Sequence, residues 1–218
     1  PAPLLRVVSA RSDQMFRDIT DEQKAKLPKY KGDLLLTEHS AGSISSEAYM
    51  KRWNRKNELL ADAAERASVA AYILGAAPYP REKLHRAWEL VLGGQFHDIL
   101  PGTSLPQAYE FSWNDEIIAM NSFAEALQDG VGGVAQGLDT RADGVPLVVY
   151  NPLSIAREDV AEAELEFPRA TAGVQVFDGE GKPVPTQLIS NIGGKCRFLF
   201  LAKAPSIACA TASEGSAP

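Results

Sequence analysis

A change of hydrophobic period divides this chain. From about Ser45 to Gly130 apolar residues recur every three to four positions, whereas after Asp139-Thr140 they alternate or cluster in short runs. A period near 3.6 places apolar groups on one side of a helix, and a period of two places them on one face of a strand. The two segments therefore need separate packing solutions, and 218 residues suffice for one substantial core or two modest ones. The expected fold class is α+β: an antiparallel three-helix bundle followed by the start of an antiparallel β-sandwich.

Three helices follow from the first pattern. Ser45 offers an N-cap and Glu47 a first-turn carboxylate. Tyr49, Trp53, Leu60, Ala63, Ala67, Ala70 and Leu74 then form a stripe that ends at Gly75 and Pro78. The charged side chains between them, Lys51 included, read as a solvated face. A second helix is expected to begin with Pro80 at its first position, to present Leu84, Trp88, Val91, Leu92 and Phe96, and to stop near Pro101-Gly102. A third is expected from Ser104 to Pro106 onward, with Tyr109, Trp113, Ile117, Met120, Ala124 and Leu127 on one face, broken by Gly130 and Gly132-Gly133.

The flanks behave differently. Pro146 to Pro152, Val160 to Phe167, Val174 to Phe177, Thr186 to Ile189 and Arg197 to Leu201 read as strands, with a turn at Gly179-Glu180-Gly181. Ala208 to Pro218 is small and polar and is expected to fray. At the other end, Leu4 to Val8 and Leu34 to Thr37 are isolated apolar runs around a short helix begun by Ser12-Asp13. Two such runs make no core alone. The domain expectation is thus 1–40 as the last segment of an α/β domain, 41–138 as the bundle, and 139–218 as the sandwich's beginning with a disordered tail.

Composition excludes several functions. A formal charge of −6 with interspersed signs supplies no basic stripe for nucleic acid and no polybasic patch for a membrane surface. No apolar run reaches the roughly 18 residues of a membrane span. Cys196 and Cys209 lack histidines at metal-binding spacing and form no disulfide framework. The expected compartment is the cytoplasm, although the chain opens at Pro1 without Met, so an upstream segment could carry a targeting signal.

Three histidines offer candidate chemistry. His85 lies mid-helix among Lys83, Arg86 and Glu89 and reads as an exposed helix residue, while His39 occupies a polar loop after an apolar run. His97 lies in Gln95-Phe96-His97-Asp98-Ile99-Leu100-Pro101-Gly102-Thr103-Ser104, where a helix ends. It could answer the negative end of that helix with Asp98 as its partner, or ligate a metal with Asp98 orienting the ring or binding substrate. A catalytic zinc takes three or more protein ligands. No His-x-Asp, His-x-x-x-His or His-Glu-x-x-His pattern occurs here, nor a Walker loop or nucleophile elbow.

The 95–104 run resembles the His-His-Asp-(Ala/Gly)-Ile-Thr-Gly-Thr motif of glycoside hydrolase family 38 α-mannosidases. Tyr30 to Leu34, His39 to Ser46 and Lys51 to Arg55 are similar to the same family's entry into its helical bundle. Ala108-Tyr109-Glu110, Trp113-Asn114-Asp115 and Val149-Tyr150-Asn151-Pro152 follow in its order. The resemblance implies a retaining exo-α-mannosidase that hydrolyses terminal α-linked mannose through a carboxylate nucleophile, a second carboxyl acting as acid and base, and zinc. By the same resemblance His97 is a metal ligand and Asp98 a substrate-binding residue. The family's other ligands, its nucleophile and its general acid match nothing in these residues, so no catalytic residue is expected in this chain and the chain alone is expected to be inactive. Phe96 stands where many relatives have a second histidine. The expected partners are a mannose-containing oligosaccharide and the catalytic domain of the same polypeptide, with homo-oligomerisation left open. The alternative is a non-catalytic helical module for carbohydrate binding or protein interaction.

Overall fold

The computed structural model describes residues 7–33, 41–141, 144–167, 173–205 and 208–216, the last segment by its backbone alone. The chain divides into two compact units at residues 41 and 42, and each is described by itself. The apolar run Leu34 to Thr37 and most of the run Leu4 to Val8 lie outside the described residues; Val7 and Val8 belong to no regular element and are exposed.

Among the described residues the first unit holds two short helices, α1 (Gln14–Asp18) and α2 (Asp21–Lys26), neither with a buried residue. The second helix starts where the Thr20 hydroxyl accepts from the Gln23 N–H and the Gln23 side chain accepts from the Thr20 N–H. That reciprocal cap, with Asp21 and Glu22 in the first turn and Lys24 and Lys26 in the last, suits the helix dipole.

The second unit opens with three helices, α3 (Ala48–Ile73), α4 (Arg81–Gly94) and α5 (Pro106–Gln136). Asn57 and Ala67 of α3 meet Glu116 and Gly130 of α5 in the same order, so these two run parallel. Gly94 meets Glu116 and Lys83 reaches Glu125, so α4 runs antiparallel to both. Leu74, Gly75 and Ala76 close α3 with the Gly75 N–H on Tyr72 and the Ala76 N–H on Ala71, Gly75 taking φ 68°. This glycine stop lets the chain reverse into α4.

The buried positions follow a stricter rule than the apolar stripes. Along α3 they are Met50, Asn54, Asn57, Ala61, Ala64, Ser68 and Ala71, with Ala67 beside them. Along α5 they are Tyr109, Ser112, Glu116, Ala119, Phe123, Ala126, Gly130 and Gly133, and along α4 Leu84, Ala87, Val91 and Gly94. Alternating steps of three and four are the seam of a coiled-coil-like bundle. The expected stripe of α3 is therefore corrected in phase, since Tyr49 and Leu74 are 42% and 63% exposed, whereas Ala67, Leu84, Val91 and Tyr109 are buried as expected. On α3 the seam is mostly small or polar, whereas hydropathy follows the bulky residues flanking it.

Two helix ends also differ from expectation. The second helix stops at Gly94 rather than near Pro101, because Gln95 is drawn sideways to Asn54 and Glu58 of α3. The third passes through Gly130 and Gly132-Gly133 to Gln136, since Gly130 lies against the α3 backbone and shares its packing. Around the seam, Trp88 meets Phe123 edge to face at 5.5 Å and its indole N–H donates to Glu65 at 2.6 Å.

Among the described residues six strands follow: β1 (Pro146–Asn151), β2 (Arg157–Glu166), β3 (Val174–Phe177), β4 (Thr186–Ile192), β5 (Lys195–Ala204) and β6 (Ala208–Ser216). They form two antiparallel sheets in the orders β1-β6-β3 and β2-β5-β4. Cys196, Phe198 and Phe200 of β5 alternate inward and join Val174 and Val176 of β3, with Leu147, Val149 and Leu165 packed around them. The stretch expected to fray is instead the middle strand of its sheet. Pairing on both sides satisfies its backbone, so its weak side-chain composition matters less. Asn151 ends β1 by donating to the carbonyls of Ile155 at 2.8 Å and Pro205 at 2.9 Å while accepting from the Leu153 N–H. No helix among the described residues is long and apolar enough to cross a membrane.

Candidate functional site

The candidate site is the loop between α4 and α5, residues 95–105, at the end of the bundle where α3 begins. Its backbone is a succession of tight turns: Ile99 and Leu100 N–H groups donate to the Phe96 carbonyl, Gly102 to Ile99 and Thr103 to Asp98. His97 leaves this loop with its side chain 75% exposed, and its ring lies 4.4 Å from that of Phe96 between centroids. The histidine lies beyond the last turn of α4, so the helix-end reading finds no support in its position.

Asp98 is held from several sides. One carboxylate oxygen accepts from the Thr103 hydroxyl at 3.1 Å, and the other lies 3.2 Å from His97 Nε2. Its carbonyl accepts from the Thr103 N–H at 3.1 Å and from the Tyr109 hydroxyl at 3.2 Å. The same hydroxyl accepts from the Ser104 N–H at 2.9 Å. Further along, Lys51 Nζ donates to the Leu100 carbonyl at 2.8 Å and also to that of Ser46. Gly102, at φ 86°, lies so close to Ser46 that a Cβ there would stand 2.5 Å from the Ser46 Cβ. The loop is thus fastened to α5, to α3 and to the segment before α3.

His97 and Asp98 are brought together at the surface. His85 is on the exposed side of α4, 3.6 Å from Glu89, and His39 lies outside the described residues. Sequence reasoning missed Lys51, placed on a solvated face, and the hydroxyl of Tyr109, counted only as apolar. Each also binds a residue five positions away, but the contacts that tie the loop down, Lys51 to Leu100 and Tyr109 to Asp98, span 49 and 11 positions and leave no periodic signal.

Under the loop, Glu116 is 1% exposed at the α3–α4–α5 seam. Asn57 donates to its carboxylate and, at 3.0 Å, to its carbonyl. Burial pushes this carboxyl above its ordinary value; the Asn57 hydrogen bond opposes that, and Asp115 and Glu58 add to it.

Among the described residues no group of three or more His, Cys, Asp or Glu side chains could hold a metal ion. An exposed imidazole backed by a carboxylate fits one position of a zinc site, and the chemistry of zinc requires further ligands.

Residues 38–129 match the family model described as the α-mannosidase middle domain. An α-mannosidase of Saccharomyces cerevisiae is 30% identical over 103 residues, 45% of this chain and 9% of the yeast protein. α-Mannosidase G of Dictyostelium discoideum is 35% identical over 98 residues, 44% of this chain and 9% of that protein. A glycosyl hydrolase family 38 protein from Enterococcus faecalis superposes with a TM-score of 0.68 at 18% identity, covering 97% of this chain and 29% of that one. The bundle is therefore similar to the middle domain of α-mannosidases. The match is to α-mannosidases over the bundle and to a glycosyl hydrolase family 38 fold over most of the chain, which spans about a tenth of the length of the curated relatives it matches.

Proposed function

We propose that this chain is the central part of a retaining exo-α-mannosidase that removes terminal α-linked mannose from oligosaccharides. In this reading His97 is one zinc ligand and Asp98 binds the sugar. The observation that carries it is the fastened 95–104 loop within the matched segment, which presents these two side chains outward from a bundle similar to the α-mannosidase middle domain.

Zinc, when bound, would act as a Lewis acid on the sugar hydroxyls. The chain's own residues do the rest of what is proposed here. His97 offers one imidazole nitrogen. The carboxylate of Asp98, held by Thr103, accepts hydrogen bonds from a sugar hydroxyl. Nucleophile, general acid and remaining ligands are supplied by the catalytic domain of the same polypeptide. Exposed apolar side chains support a covering partner domain: Ile44, Phe96, Leu105 and Phe111 are each more than half exposed.

The test joins this chain to that catalytic domain and follows release of mannose from an aryl α-mannoside. Activity should disappear with a chelator, return with zinc, and fall at least about a hundredfold in His97→Ala, as for loss of a metal ligand. Undiminished turnover in His97→Ala would overturn the assignment. Retained binding of mannosides by the 218-residue chain without metal would favour the carbohydrate-binding module instead.

A further inference from the structure

We propose that Tyr109 is a positioning residue of this site, its hydroxyl closing the 98–104 loop and so fixing the direction in which His97 and Asp98 leave the bundle. The inference rests on the reading of those two residues as ligand and sugar contact.

Its basis is where the hydroxyl sits. Tyr109 occupies the seam of α5, 4% exposed, so its ring is held by packing and its oxygen has a fixed position. That oxygen donates to the Asp98 carbonyl at the loop's start and accepts from the Ser104 N–H at its end. A phenolic hydroxyl can do both at once, and no other side chain of similar shape supplies donor and acceptor at that reach. Thr103, enclosed between the two anchored residues, is the group that holds the Asp98 carboxylate.

Lys51 fastens the middle of the same loop through Leu100. Anchors of this kind, one buried and one half-buried, act on the exposed residues only through the loop.

In the 218-residue chain, Tyr109→Phe keeps the ring and removes both hydrogen bonds. The amide of Ser104 should exchange with solvent about tenfold faster, with amides of Ala119 to Phe123 unchanged. In the chain joined to its catalytic domain, zinc loss to a chelator, followed by a metal-sensitive dye, should be roughly tenfold faster. If Tyr109→Phe lacks native circular dichroism, Lys51→Met is read by the same zinc-release measurement.

Unchanged Ser104 exchange overturns the proposal. So does faster exchange with unchanged zinc release, which would leave the hydroxyl a purely structural role. His97→Ala separates the two ideas: if it speeds zinc loss and Tyr109→Phe does not, positioning by Tyr109 fails while the ligand assignment stands. If neither changes zinc release, both fail.

Discussion

Glu116 shows how one buried residue ties the fold to pH. Its Oε1 is buried without a hydrogen-bond partner among the described residues, and Gly94 leaves the space above it, where a Cβ would come within 2.7 Å. The carboxyl therefore titrates above its ordinary value of 4.5, burial being the main cause. The folded state holds this proton more tightly than the unfolded chain. Stability from this group is fully present below the unfolded value and is lost as pH rises through the folded one. Glu116→Gln keeps a carbonyl for Asn57 without the charge. It should melt higher than the parent at pH 7.5, by about 2–4 °C for each kcal/mol gained, with the difference shrinking towards pH 4. A lower melting temperature at pH 7.5 would show that the ionised carboxylate stabilises the seam.

At the scale of elements, the bundle depends on close approach of helices. A Cβ at Gly130 would stand 2.8 Å from the Ala67 carbonyl carbon and 2.9 Å from the Ser68 nitrogen, both backbone atoms of α3. Gly130→Ala gains intrinsic helix propensity of about 1 kcal/mol yet must push two backbones apart, an overpacking cost of about 1–3 kcal/mol. The net effect should be destabilisation, seen as a lower urea midpoint, whereas Gly132→Ala, with open space around its Cβ position, should stabilise. The opposite order would place the α3–α5 contact elsewhere. Helix existence was legible because Tyr49 to Leu74 and Tyr109 to Leu127 keep a helical period. The phase was not, because Asn54, Asn57, Ala61, Ser112 and Glu116 give hydropathy nothing to follow, and only contact between helices selects them.

For the second unit as a whole, bundle and sandwich have hydrophobic clusters without a common member. Phe198, fully buried in β5, anchors one, and Phe123 of α5 anchors the other. Phe198→Ala should cost about 3–5 kcal/mol in the sandwich alone. In urea, the tryptophan fluorescence transition of the bundle, which holds Trp53, Trp88 and Trp113, should keep its midpoint while hydrogen-exchange protection of the β5 amides is lost earlier. Equal shifts of both transitions would mean that the cores unfold together.

The amino-acid sequence by itself determined the succession of helices and strands, through its change of period, and placed His97 and Asp98 in an ordered motif. It also marked Asn151 within Val149 to Pro152, without the carbonyls that this side chain binds. Tertiary structure alone decided which helix faces meet, that α4 stops at Gly94, and that Ala208–Ser216 is a paired strand. It also decided that Lys51 and the Tyr109 hydroxyl fasten the loop bearing the candidate site. The physical reason is common to these features. Period and capping arise between neighbours, while a seam, a ladder or a buried hydroxyl depends on partners that the chain brings together only by folding.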